Sequence, residues 1–139
     1  MRPTPQIITA LKADATVFGI VGNQVFADYP PQGTDEPFIV LTIPSGEAHG
    51  TVNNCNVRAY SARLTVDVVC DTRAQTESAI EAIEDVLDGF TSADSTHPIQ
   101  GITIQTALEW EMLTPKDGSD KRIFICSQDY QIHYRRNPS

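Results

Sequence analysis

Arg58-Ala59-Tyr60-Ser61-Ala62-Arg63-Leu64-Thr65-Val66-Asp67-Val68-Val69-Cys70 is the stretch that decides the fold. Tyr60, Ala62, Leu64, Val66, Val68 and Cys70 fall on one side of an extended chain, and Ser61, Arg63, Thr65 and Asp67 on the other. That alternation is the period of two that a strand imposes, so one face is buried and the other is wet or partnered. The segment that follows has a different period. Thr72-Arg73-Ala74-Gln75 is a capping box, with Thr72 placed to accept from the Gln75 N–H and Gln75 to reach back. Ile80, Ile83, Leu87 and Phe90 recur at spacings of three and four, widened by Ala79 and Val86, while Glu77, Glu81, Glu84, Asp85 and Asp88 take the remaining positions. This is an amphipathic helix, with Gly89 placed to help end it.

Upstream, Phe38-Ile39-Val40-Leu41-Thr42-Ile43 is apolar on both faces, as expected of a strand covered on both sides. Between these strands, Pro44 to Asn56 is polar and contains Gly46 and Gly50, which reads as a long loop or an extended hairpin tip. Gln24 to Ala27 is a short strand, followed by the turn-rich Pro30-Pro31 and Gln32 to Pro37. The chain opens with a helix from about Thr4 to Leu11, with Thr4 as cap and Pro5 at the first helical position, where a missing N–H costs nothing. Asp14 caps a second short turn that Gly22 stops, making a small bent helical unit.

Downstream, Thr91 to Pro98 is a loop, and Ile102, Ile104, Leu108, Trp110 and Met112 alternate with polar residues as one half-buried strand. Asp117-Gly118 is turn chemistry. The last strand puts Phe124, Cys126, Tyr130, Ile132 and Tyr134 on one face and forms a hairpin with the one before it, and Arg135 to Ser139 reads as a frayed tail. The expected architecture is α+β, a mainly antiparallel sheet with helices packed on one face, in the order α-β-β-β-α-β-β. Its 139 residues form one domain, 1–139.

With 18 acidic and 10 basic residues the net charge is −8, which opposes adhesion to nucleic acid or anionic membrane, since gripping phosphates takes clustered Lys and Arg. No apolar run approaches the roughly 20 residues that span a bilayer. Met1-Arg2-Pro3-Thr4-Pro5 leads straight into an amphipathic stretch, so no signal peptide is expected. Cys55, Cys70 and Cys126 form neither a disulfide framework nor a zinc pattern, and reduced thiols fit them best.

No dinucleotide fingerprint, phosphate-binding loop, metalloprotease helix, paired-cysteine motif or nucleophile elbow occurs. His49, His97 and His133 lie far apart in sequence and read as exposed or capping histidines. Glu109 and Glu111 share a strand face, and the helical carboxylates crowd together, but their surroundings look alike and solvated. General acid and base work needs carboxyls whose environments push their pKa values apart. Trp110, Phe124 and Tyr130 read as core, without the interleaved basic residues of a base-stacking platform. No catalytic residue, cofactor or metal ligand is therefore assigned.

What remains is surface. Ser45 to Val57 is long and polar for a domain otherwise joined by short turns, and Glu47, His49, Asn53, Asn54 and Arg58 become candidate contacts to a neighbouring subunit or partner. Arg63 and Asp67, at i and i+4 on the second face of their strand, join them as groups that pair within one subunit or across a symmetric assembly. An ordinary solvated face is the plainer alternative.

Several of these stretches together resemble the tail-completion, or tail-terminator, proteins of long-tailed bacteriophages. The resemblance is carried by Phe18-Gly19-Ile20-Val21-Gly22, by Val25-Phe26-Ala27-Asp28-Tyr29-Pro30-Pro31-Gln32 and by Pro37-Phe38-Ile39-Val40-Leu41. It continues through Ala62-Arg63-Leu64-Thr65-Val66-Asp67-Val68-Val69, Ala79-Ile80-Glu81-Ala82-Ile83 and the closing Asp129-Tyr130-Gln131-Ile132-His133-Tyr134. The resemblance implies a non-enzymatic virion protein of the tail, assembled in the host cytoplasm, that forms a hexameric ring. Such a ring caps the tail tube, ends its polymerisation and meets both the tail tube protein and the head–tail connector proteins, with DNA only as passing cargo. A neck or head-completion connector of the same virion is the runner-up, and a small enzyme or a monomeric binding module are alternatives of other classes.

Overall fold

The structure, a computed structural model, describes residues 3–51, 54–94, 97–105, 109–113 and 123–136, and gives the backbone alone for 44–51, 54–58, 109, 113 and 136. The elements in chain order are α1 (Thr4–Ala13), α2 (Ala15–Val21), β1 (Val25–Ala27), β2 (Phe38–Thr51), β3 (Asn54–Cys70), α3 (Arg73–Leu87), β4 (Ile99–Ile104), β5 (Glu109–Leu113) and β6 (Ile123–Arg136). The fold is α+β: a six-stranded sheet ordered β1-β2-β3-β6-β4, with β5 also paired to β6, carrying its helices on one face.

The alternating strand stands at the centre. β3 is antiparallel to β2 on one side, with Leu41 opposite Val66, and to β6 on the other, with Leu64 opposite Tyr130. Its apolar face of Ala62, Leu64, Val66, Val68 and Cys70 is buried with Ile39 and Leu41 of β2 and with Cys126, Tyr130 and Ile132 of β6. The cover comes from Ile7, Leu11, Val17 and Val21 of the two short helices and from Ile80, Ile83 and Leu87 of α3. Each such side chain contributes about 1.5–3 kcal/mol by leaving water. Val40 and Val69 lie on the other side of the sheet and are also buried, which matches the two-faced apolar run of β2.

Local chemistry sets the helix ends. Asp14 accepts from Val17 N–H at 3.0 Å and Thr72 from Gln75 N–H at 3.2 Å, as the sequence predicts. Gly22 and Gly89, with φ of 63° and 77°, close α2 and α3 in the left-handed region that favours glycine. At the first helix the cap position belongs to Pro3, and Thr4 begins the helix.

Four expectations change. The bent opening unit is two helices, α1 and α2. β1 pairs parallel with β2, Val25 against Ile39, the one parallel pair among the described strands. The strand read from Ile102 to Met112 is two, β4 and β5, lying end to end along one edge of β6. The expected frayed tail begins inside β6, where Arg135 and Arg136 pair with Ala59 and Arg58. The turn read at Asp117-Gly118 lies outside the described residues.

Candidate assembly surface

The polar stretch between the two central strands is an extended hairpin. β2 continues to Thr51 and β3 begins at Asn54, with Thr51 opposite Asn54, Ala48 opposite Tyr60 and a register shift between His49 and Thr51. From Ala62, buried on the core face of β3, past the half-buried Tyr60 to Asn54, the strand runs on for about 27 Å at the usual rise. β6 accompanies it as far as Arg136 opposite Arg58, and beyond that the ribbon is the two-stranded β2–β3 hairpin.

Glu47, His49, Asn54 and Arg58 lie on this ribbon, whereas Arg63 and Asp67 stand in the part of β3 that carries the core. Glu47 pairs with Ser61, His49 with Ala59, Asn54 with Thr51 and Arg58 with Arg136. Asn53 lies outside the described residues. Arg63 stands between Ser45 and Gln131, and Asp67 between Val40 and Ser127. Asn54 and Asp67 are therefore about 44 Å apart along β3. The suggested Arg63–Asp67 pairing within one chain does not form. Asp67 instead accepts a hydrogen bond from the Ser127 hydroxyl, and Asp129 accepts one from Thr65 Oγ1 at 2.7 Å, while Arg63 is exposed.

An aromatic pair marks the root of the ribbon. Tyr60 and Tyr134 stack with ring centroids 5.1 Å apart and planes 10° off parallel, and His97 lies 6.4 Å from Tyr134. His97 is thus buried, contrary to the exposed or capping role its loop position suggests; His133 is exposed. Its loop is tied down by α1. Gln6 Nε2 donates to the His97 carbonyl at 2.6 Å, the Ser92 hydroxyl donates to Gln6 Oε1, and Asp94 Oδ2 accepts from His97 N–H at 3.0 Å.

At the opposite end of β3, Arg73 stacks its guanidinium 4.2 Å above the Trp110 ring and meets Glu77 at 3.2 Å. The cation–π contact joins the start of α3 to β5, and only the fold brings those residues together. Cys70 and Cys126 are buried free thiols, as their strand faces predict. Burial pushes both pKa values up, that of Cys126 to about 11, because a thiolate there loses its hydration. Burial raises the Tyr130 phenol as well, and its hydroxyl donates to Gln128 Oε1 at 3.1 Å. These groups behave as core, and among the described residues no cluster of three or more His, Cys, Asp or Glu is arranged to hold a metal ion. Among the described residues no helix is long and apolar enough to cross a membrane.

A family model described as tail completion protein gp17 matches residues 5–111. The chain belongs to that family. Tail completion membership makes it a structural protein of a phage-type tail, as the resemblance of the sequence implies. The matched span runs from α1 into β5 and so includes the whole β2–β3 hairpin, but stops short of β6. Among solved structures, a chain in the virion of a native gene transfer agent particle has the same fold. Its TM-score is 0.66 at 15% identity, and the match covers 93% of this tail completion chain and 91% of that one. No curated protein matches in sequence.

Proposed function

We propose that the chain, acting as one unit over residues 1–139, forms a hexameric ring that caps the finished tail tube, ends its polymerisation and presents the surface to which the head joins. Its partners are further copies of itself, the tail tube protein and the head–tail connector proteins. DNA passes as cargo through a lumen that an acidic chain would not grip. The protein acts without catalysis, in the virion tail, after assembly in the host cytoplasm.

The observation that carries this reading is the long β2–β3 hairpin, flanked by β6 as far as Arg136, within a tail completion chain. Exposed strand edges are liabilities that proteins usually shorten or cover, so a long ribbon beyond the core makes sense as a surface awaiting a partner. Glu47, His49, Asn53, Asn54 and Arg58 then serve as contacts at its far part, with Arg63 and Asp67 nearer the core. The gene transfer agent particle adds a virion setting for the same fold.

Electron microscopy of particles assembled without the protein tests the proposal. A terminator predicts overlong or headless tails. Tails of normal length on particles that fail at the head would move the protein to the head side, as a neck or completion connector.

A further inference from the structure

Positive charge is concentrated where the β3–β6 ladder leaves the core. The chain holds ten Lys and Arg in all and carries a net charge of −8. Four of those ten, Arg58, Arg63, Arg135 and Arg136, stand in this one part of the ladder, with Arg58 opposite Arg136, Arg135 opposite Ala59 and Arg63 opposite Gln131. The adjoining part of β2 brings one carboxylate, Glu47, opposite Ser61. Arg63 and Arg135 share one face of the ladder, and Arg58 and Arg136 stand at positions of the other. Arg63 and Arg135 are exposed, and the one ion pair among the described residues is Arg73–Glu77. Asp67 and Asp129, which share a ladder side with Arg63, are engaged by the hydroxyls of Ser127 and Thr65.

The complementary surface is on α3. Glu77, Glu81, Asp85 and Asp88 are all exposed and follow at spacings of four, four and three, one ridge along the solvent side of the helix. Carboxylates four apart on a helix repel, and here only Glu77 is relieved, by Arg73. Within one chain the sheet keeps the two charged surfaces apart. α3 packs on the face of Ala62, Leu64 and Tyr130, whereas Arg63 and Arg135 alternate onto the other face.

We propose that the arginine end of the β3–β6 ladder docks on the α3 carboxylate ridge of a second copy of this chain. Two different surfaces of the same chain then join head to tail, the heterologous contact that propagates from copy to copy and gives a ring when the rotation between neighbours closes. Bringing the two together sets opposite charges face to face and relieves the repulsion along the ridge. A second copy suits the arginines better than nucleic acid, because the field of a chain with net charge −8 opposes the approach of a polyanion. The inference deepens the ring reading by naming the contact between neighbours, and it rests on that reading for the identity of the partner.

Two variants test it, each keeping buried residues untouched: Arg63→Glu with Arg135→Glu, and Glu81→Lys with Asp85→Lys. Circular dichroism and thermal unfolding establish that both fold, and light scattering and sedimentation follow self-association at high concentration and on tail tubes. Each variant alone is expected to weaken association on the order of 100-fold, because the docked surfaces now carry like charge. An equimolar mixture pairs the reversed ladder of one with the reversed ridge of the other, and is expected to restore association. If the native chain assembles and either variant assembles equally well, or the mixture fails to recover, the docking contact is wrong while the ring stands. A native chain that stays monomeric even on tail tubes overturns ring and contact together. Loss of duplex DNA binding with unchanged self-association would assign the arginines to nucleic acid and overturn the proposal.

Discussion

Cys126 shows how little of this protein's polar-capable chemistry is available for reaction. It is fully buried on β6 and its pKa is raised to about 11, by burial above all. In the unfolded chain the thiol ionises near its ordinary value of about 8.5–9, whereas the folded protein keeps it protonated. The unfolded state therefore binds fewer protons above that pH, and stability falls as pH rises. Cys70 and Tyr130 shift in the same direction, so their contributions add. Under reducing conditions the melting temperature is expected to decline from pH 9 toward 11, more gently in Cys126→Ala even though that variant starts lower. Parallel slopes in the two proteins would show that Cys126 does not titrate as argued. Its role was legible because position alone placed it on an apolar strand face. The burial of His97 was not, since its contacts with Gln6 and Tyr134 join residues far apart in sequence.

At the scale of elements, legibility follows the range of the interactions that fix each boundary. The caps at Asp14 and Thr72 and the face of β3 depend on residues within a few positions, and the sequence displays them. The break between β4 and β5 does not. Ile102, Ile104, Leu108 and Trp110 keep an unbroken alternation. Where the pairing pauses, Gln105 N–H donates to the Asp129 carbonyl at 3.0 Å, a contact across the sheet. The end of β6 was hidden for the same reason: Arg135 and Arg136 look like a solvated terminus until β3 pairs with them. The β2–β3 hairpin has its own consequence. Deleting residues 47–54 removes the pairings of Glu47, Ala48 and His49 while leaving every residue of the buried core in place. Cooperative unfolding is expected to survive, whereas tail completion in infected cells is expected to fail. Normal tails from that deletion would remove the hairpin from the assembly surface.

Across the whole molecule, one late strand holds the sheet together. β6 pairs with β3 along nearly its full length and supplies the partner for both β4 and β5. It also contributes Cys126, Tyr130, Ile132 and Tyr134 to the core. The residues matched to the tail completion family, 5–111, thus stop before the strand on which their own last two strands depend. A chain ending after residue 122 keeps the helices and the β2–β3 hairpin but leaves the β6-facing side of β3 unpaired, and β4 and β5 without a strand to join. Losing a single large buried side chain costs about 2–5 kcal/mol, and domains are stable by only about 5–15 kcal/mol in total. Removing four core residues and three strand pairings at once exceeds that margin. The truncated chain is expected to lack a cooperative thermal transition and to exchange its β3 amides rapidly. A sharp transition with protected β3 amides would mean that residues 1–122 hold the fold without β6.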